Sequence, residues 1–545
     1  MENRSKPGKG FSLKTQFTNK PRRPSNLTRV TICGLVLALV SLSCAIGVLD
    51  QNDPLYNAPN GKLWASPTPS LIFPTDRAIP LVTSNAPAEQ ILVSSTAIPT
   101  PEAVPIDAAP LLYYTQSGDT LPVIATRFGV DVDDISSSNK ALSPTGLLSP
   151  DTLLLIPHML VNTTSPVKVV PDSELVYSPS AADFDVEAYV NEAGGYLSRY
   201  KEWLGSTEWT TGAEIVERIA IENSINPRLL LALIEYQSGW VFGNPSNPKQ
   251  EDYPLGKVDL SLKGLYSQLA WAVNQLSVGY YGWREGWVTD VTFSDGVSAR
   301  LAPDLNSGTV AIQYYFAQIN DTTGWLGAFD ANNGLPAVYE RMHGNPWVRA
   351  MDFEPLYPPT LIQPQMILPF LIDQIWSYSG GPHGAWERDG ARAAVDFAPG
   401  STESGCVKSY AWVVAAAPGL VVREGNGALL VDLDGDGKEQ TGWDILYMHL
   451  TEPAVKVGDW VETGDYLGHP SCVGGIATGT HVHFARKYNG EWISADGPLP
   501  LLLSGWTVHA GNSPYEGTMT RGTDTISASV YGSYESQIKR TKDTP

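Results

Sequence analysis

From Trp412 to Lys487 the chain breaks into short apolar runs, each closed by residues that favour turns: WVVAAAPG, LVVREGNG, ALLVDLDGDG, DILYMHL, VKVGDWVETGDYLG and THVHFARK. Runs of this length, rich in valine and aromatic residues and separated by Gly, Asp and Asn, predict antiparallel β structure. The last run alternates polar and apolar residues. A strand with that period sets His481 and His483 on one face, Cβ atoms roughly 7 Å apart.

Five of the eight histidines lie between residues 383 and 483: His383, His449, His469, His481 and His483. Hydrolytic zinc sites take three nitrogen or oxygen ligands from the protein and keep one position for water. His383, Asp396 and His483 supply such a set, with His449 and His481 left beside the water to move protons. His469, between a turn glycine and a proline, reads as a surface or supporting residue.

The segments Gly380-Gly381-Pro382-His383, Ala394-Val395-Asp396-Phe397-Ala398-Pro399, Tyr447-Met448-His449-Leu450, Gly464-Asp465-Tyr466-Leu467-Gly468 and Gly479-Thr480-His481-Val482-His483-Phe484 extend the pattern. Together they resemble the lysostaphin/LytM-type zinc metalloendopeptidases, in particular the beta-lytic, staphylolysin-like subgroup, over residues 368–525. The resemblance implies zinc as cofactor, His383, Asp396 and His483 as ligands, His449 and His481 as catalytic residues, and cleavage of peptide bonds in bacterial peptidoglycan. Most of the broad family places the first ligand four residues before the aspartate. Here that position is Arg392, which has no lone pair to give. The longer spacing from His383 is that of the subgroup, and the polar GAWERDGARA segment between is expected to loop out and bring His383 to Asp396.

Upstream, Tyr113 to Pro157 reads as strand, helix from Thr120 through Phe128, second helix over roughly Asp133 to Asn139, and strand. Through Gly118-Asp119-Thr120-Leu121, Ile124-Ala125, Asn139 and Leu153 to Pro157 it resembles a LysM domain. That implies a βααβ fold gripping N-acetylglucosamine-containing chains, with Gly118, Asp119, Thr120 and Asn139 at the glycan.

Residues 183–367 read as helical, with Ala213 to Ile221 amphipathic and Asn226-Pro227 opening a core helix. LLLALIEYQSGW resembles lysozyme and lytic-transglycosylase helices. Gln237 stands where that family carries its acid, and an amide cannot protonate a glycosidic oxygen. A scaffold or sugar-binding role is expected.

Charge excludes one class of partner. Residues 1–29 hold eight Lys and Arg against Glu2 alone, so the remainder of the 545-residue chain carries −28 against −21 overall. Phosphate backbones demand clustered cations, so no nucleic acid is expected. Val30 to Leu49 is uncharged, apolar and long enough to span a membrane, and the basic flank keeps the N-terminus inside. A single-pass anchor with extracytoplasmic domains is expected, or a cleaved signal that releases them. Residues 50–110, rich in Pro, Ser and Thr, form a spacer. Cys406 and Cys472 are the only cysteines outside the apolar run, and in an oxidising compartment they pair.

The expected order is a basic arm (1–29), membrane anchor (30–49), linker (50–110), LysM domain (111–158), linker (159–182), helical domain (183–367), antiparallel β peptidase domain (368–525) and disordered tail (526–545). Asp432-Leu-Asp434-Gly-Asp436-Gly437 matches the start of a calcium loop, but its twelfth position is Trp443, and a polar hairpin turn is the simpler expectation. The expected function is a membrane-anchored zinc metalloendopeptidase acting on peptidoglycan. The alternative is a catalytically inactive wall-binding protein or activator of wall hydrolases.

Overall fold

The computed structural model describes residues 109–137 and 141–542. The basic arm, the apolar run at 30–49 and most of the Pro-rich linker lie outside them. Among the described residues no helix is long and apolar enough to cross a membrane.

The first module pairs β1 (Leu111–Tyr114) antiparallel with β2 (Leu153–Ile156) and lays α1 (Leu121–Phe128) across them. Tyr113, Ile124, Phe128, Leu154 and Ile156 form its core. The second expected helix is only a 3₁₀ turn over Val132–Asp134, with just one apolar residue to bury.

The helical region holds α2 (Val186–Ala193), a hairpin of β3 (Lys201–Leu204) and β4 (Glu208–Thr211), α3 (Gly212–Asn223) and α4 (Pro227–Ser238). Then follow α5 (Leu265–Glu285), α6 (Ser307–Ala317) and α7 (Leu335–His343). Thr211 and Glu214 close a capping box on α3, and the Asn226 side chain caps α4 ahead of Pro227. Buried residues run along the whole of α5, which makes it the central element. The stretch 159–182, expected as a linker, belongs in large part to this core: Val170, Leu175, Val176 and Ala181 are buried in it. It lacks regular periodicity, so nothing in its pattern announced burial.

The C-terminal sheet runs in the order Trp460–Val461, β7 (Gly419–Gly425), β8 (Ala428–Asp432), β9 (Trp443–Met448), β10 (Val482–Tyr488), β6 (Ala394–Pro399), β5 (Ile375–His383) and β11 (Gln537–Lys539). All its pairings are antiparallel. The tail is therefore not a disordered end: β11 adds to the sheet edge, and Ile538 is fully buried.

Alternation splits this sheet cleanly. Val395, Phe397, Leu429, Val431, Ile445, Tyr447, Val482 and Phe484 pack on one side with the small flanking sheets. Ala394, Ala428, Leu430, Leu446, Met448 and Ala485 face the other way, into one continuous core with α3, α4, α5 and α6. His483 and Asp396 lie on that same covered face, two residues from Ala485 and Ala394.

Candidate metal centre

Three strands converge on the site. β10 carries His483 opposite Asp396 of β6, and β5 ends at His383. The pairing of β5 with β6 is irregular at Gly380 and again before His383. Both glycines of the Gly380-Gly381 pair are there because of close approach. A Cβ on Gly380 would stand 2.5 Å from Asp396 Oδ2, and one on Gly381 would stand 2.4 Å from the Glu516 backbone. The loop after His383 is pinned by α5: Ser277 donates to Glu387, and Asn274 to Asp389 at 3.3 Å. Burial there pushes the Glu387 carboxyl up to about 7.

One donor atom from each of His383, Asp396 and His483 lies within 4.8 Å of the others. His383 Nε2 and His483 Nδ1 face each other at 3.0 Å, and Asp396 Oδ1 stands 3.3 and 3.4 Å from them. The remaining ring nitrogens fix the tautomers. His383 Nδ1 donates to the Gly381 carbonyl at 2.8 Å, and His483 Nε2 donates to the Ala385 carbonyl at 2.8 Å. That leaves two lone pairs and a carboxylate oxygen converging on one point. Asp396 Oδ1 is buried with no hydrogen-bond partner. Such a set fits a divalent cation taking nitrogen and oxygen ligands, as zinc does, with the second ring nitrogens oriented by backbone carbonyls.

His449 and His481 stand alongside, ring centroids 4.4 Å apart. Each donates Nδ1 to a carbonyl, of Val473 at 3.2 Å and of Gly479 at 2.7 Å, so each turns Nε2 inward. His481 Nε2 is 3.7 Å from Asp396 Oδ1. His449 sits at φ +62°, a left-handed conformation unusual for a non-glycine residue and held here by its surroundings. Burial, with His481 and His483 nearby, pushes its imidazole down to about 4, so it is a neutral base at pH 7. Burial alone would raise Asp396, but in the metal-free protein the imidazoles of His383 and His481, when protonated, hold the carboxyl well below the usual carboxylate range.

Cys406 and Cys472 form a disulfide with Cα atoms 5.8 Å apart, next to the Val473 carbonyl that orients His449. His469 is not part of the cluster; it bonds the Ala411 carbonyl and packs on Trp412. Tyr515, which sequence reasoning missed, stacks on His383 with centroids 4.1 Å apart. Its only signal was a place in the turn-rich GNSPYEG stretch.

Three of the four LysM residues expected at the glycan lie among the described residues. Asp119 is buried, accepting from Tyr113 Oη at 2.6 Å, from the Gln116 amide at 2.7 Å and from Arg127 at 2.8 Å. Thr120 is buried too, and Gly118 lies against Arg284 and Tyr357 of the helical region. These three positions hold the module together and against its neighbour. Asn139 lies outside the described residues. In the helical region Glu235 accepts the Val241 and Phe242 amides at 3.0 and 3.1 Å, a structural cap for the turn after α4.

Residues 405–495 match the family model Peptidase family M23, residues 113–157 the LysM domain, and residues 168–357 the LasA, N-terminal domain. The chain thus carries a LysM domain and an M23 peptidase domain, and its helical region matches the LasA N-terminal domain. The M23 match begins after His383 and Asp396, so their place in the site rests on the geometry above.

Among relatives, protease LasA of Pseudomonas aeruginosa is 26% identical over 373 residues, covering 64% of this chain and 80% of that protein. Lysostaphin of Staphylococcus simulans is 37% identical over 90 residues, 16% of this chain and 17% of that one. Beta-lytic metalloendopeptidase of Achromobacter lyticus is 28% identical over 117 residues, 20% and 29% of the two.

Proposed function

We propose that this chain is a zinc metalloendopeptidase that hydrolyses peptide bonds of bacterial peptidoglycan, with the LysM domain holding it to the glycan. The observation that carries this reading is the convergence of His383 Nε2, His483 Nδ1 and the unpartnered Asp396 Oδ1 on one buried point. Zinc, when bound there, supplies the Lewis acidity that peptide hydrolysis requires. His383, Asp396 and His483 would hold it. His449 and His481 direct Nε2 to the same space, where they can take a proton from water and return it to the leaving amine. His481 is the most exposed of the five and so stands nearest the path by which substrate enters.

The disulfide supports work outside the cytoplasm, where such bonds persist. The basic arm and the apolar run at 30–49 would deliver the chain there, as anchor or as signal.

Purified walls incubated with the full chain, followed by mass spectrometry of released fragments and zinc analysis, test the reading. The wild type should release peptides and hold about one zinc. His449→Ala and His481→Ala should lose turnover at least a hundredfold and keep the metal, whereas His483→Ala should lose both. Equal zinc loss in all three variants would sink the division of roles. Cleavage of casein with intact walls would sink the substrate.

A further inference from the structure

The hairpin between β8 and β9 carries side chains that the peptidase chemistry does not use. β8 ends at Asp432 and β9 begins at Trp443, and the loop between them holds Asp434 and Asp436. One carboxylate oxygen of each aspartate lies within 4.8 Å of the others. Asp432 is buried and takes the amides of Asp434 and Gly435 on Oδ1, at 3.0 and 3.1 Å, and of Gly437 on Oδ2, at 2.9 Å. Those bonds alone would describe an ordinary polar turn.

Asp444 makes the difference. It stands directly opposite Asp432 in the β8–β9 ladder, on the same face of the sheet. It is fully buried, and neither of its carboxylate oxygens has a hydrogen-bond partner. The cation across the next ladder, Lys487, is committed elsewhere: its ammonium binds Glu439 at 2.8 Å, and Glu439 also binds Arg423 at 3.0 Å. Buried carboxylates persist when they are paired or when they coordinate a metal. Lys487 acts on Asp444 only through space and gives it no hydrogen bond, while Asp432 and Asp434 bring further negative charge to it.

The donors are all oxygen, which selects a hard cation over zinc. Asp432, Asp434 and Asp436 stand at the first, third and fifth positions of a calcium loop, with Gly437 at the sixth. The acid missing at the twelfth position, Trp443, is available one residue on, from Asp444. We propose that Asp432, Asp434, Asp436 and Asp444 form a calcium site, separate from the His383–Asp396–His483 centre, that braces the end of β9 remote from His449.

Terbium luminescence on the full-length, zinc-loaded protein, passed over chelating resin and analysed to confirm that zinc remains, tests this directly. The Trp460 ring lies 2.9 Å from where a Cβ on Gly435 would stand, so tryptophan excitation should sensitise a bound ion. The expected result is saturable emission at one terbium per chain, displaced by calcium and not by equimolar magnesium, with the unfolding midpoint several degrees higher in calcium. Asp434 and Asp436 are exposed, so the Asp434→Asn, Asp436→Asn double variant should fold, keep its zinc and lose the emission. Asp444→Asn should weaken calcium binding at least tenfold. Absence of saturable emission and of a calcium-dependent midpoint in the wild type would overturn the proposal. So would preference for magnesium, or Asp444→Asn binding calcium as tightly as the wild type.

Discussion

His343 closes α7 among the rings of Phe184, Tyr189 and Tyr339. A helix C-terminus favours a cation by about 0.3–1 kcal/mol. Burial and the charges of Arg228 and Arg349 outweigh that and push the imidazole down to about 3. The unfolded chain takes up a proton near pH 6.5 while the folded one does not, so this contribution to stability is intact above pH 6.5 and falls as the pH drops toward 3. At pH 4.5 the loss is on the order of 2–3 kcal/mol. His343→Phe should flatten the fall in urea-unfolding free energy between pH 7 and pH 4.5 by about that amount; matching slopes in variant and wild type would refute it. The site histidines were legible in the sequence for a different reason. Strand spacing and the resemblance to lysostaphin/LytM-type peptidases pointed to His383, Asp396 and His483, which the structure brings together, because metal chemistry constrains residue type. Tyr515 was not legible, since stacking on His383 uses a ring that any turn can carry.

β11 shows where legibility ended for whole elements. Its sequence, QIK within a polar tail, has one apolar residue and no run to read. Yet Ile538 pairs opposite Trp376 of β5 and is fully buried, and Arg540 donates to the Phe370 carbonyl at 2.7 Å. The strands from Val413 to Tyr488 were legible because each buries a full apolar face, whereas β11 adds a single side chain to an edge already built. The residues at 170–181 were hidden likewise, because 3₁₀ turns and irregular chain bury apolar groups without a period. If β11 is part of the domain, Ile538→Ala should cost about 2–4 kcal/mol. Urea unfolding followed by tryptophan fluorescence measures it, with Trp376 as a local probe. A change below about 0.5 kcal/mol, the range of ordinary surface substitutions, would mean that the strand does not bear on stability.

Arg284, near the end of α5, joins all three parts of the described chain. Its guanidinium binds Glu491 of the M23 domain at 3.0 Å and Asp172 of the helical region at 3.2 Å, and it donates to the Ser117 carbonyl of the LysM domain. Its neighbours extend the joint. Arg127 of the LysM domain donates to the Trp283 carbonyl at 2.8 Å, and Tyr280 Oη donates to Glu491 at 3.0 Å. The arginine is almost wholly buried, so its pairs differ in kind from the exposed Lys263–Asp252 pair, whose loss should be hard to measure. Removing one partner of a buried network strands the others: Arg284→Met would leave Asp172 and Glu491 desolvated without their cation, at a cost of about 3–5 kcal/mol. Because the same side chain touches three modules, the loss should also change the shape of unfolding. The wild type should melt in one calorimetric transition, since α5 shares a core with the sheet face that carries His483. Arg284→Met should melt lower and in separable steps, and protease should cut sooner between residues 158 and 170, where the LysM domain meets the helical core. A variant that melts in one step at the wild-type temperature would show that the apolar core alone unites the modules.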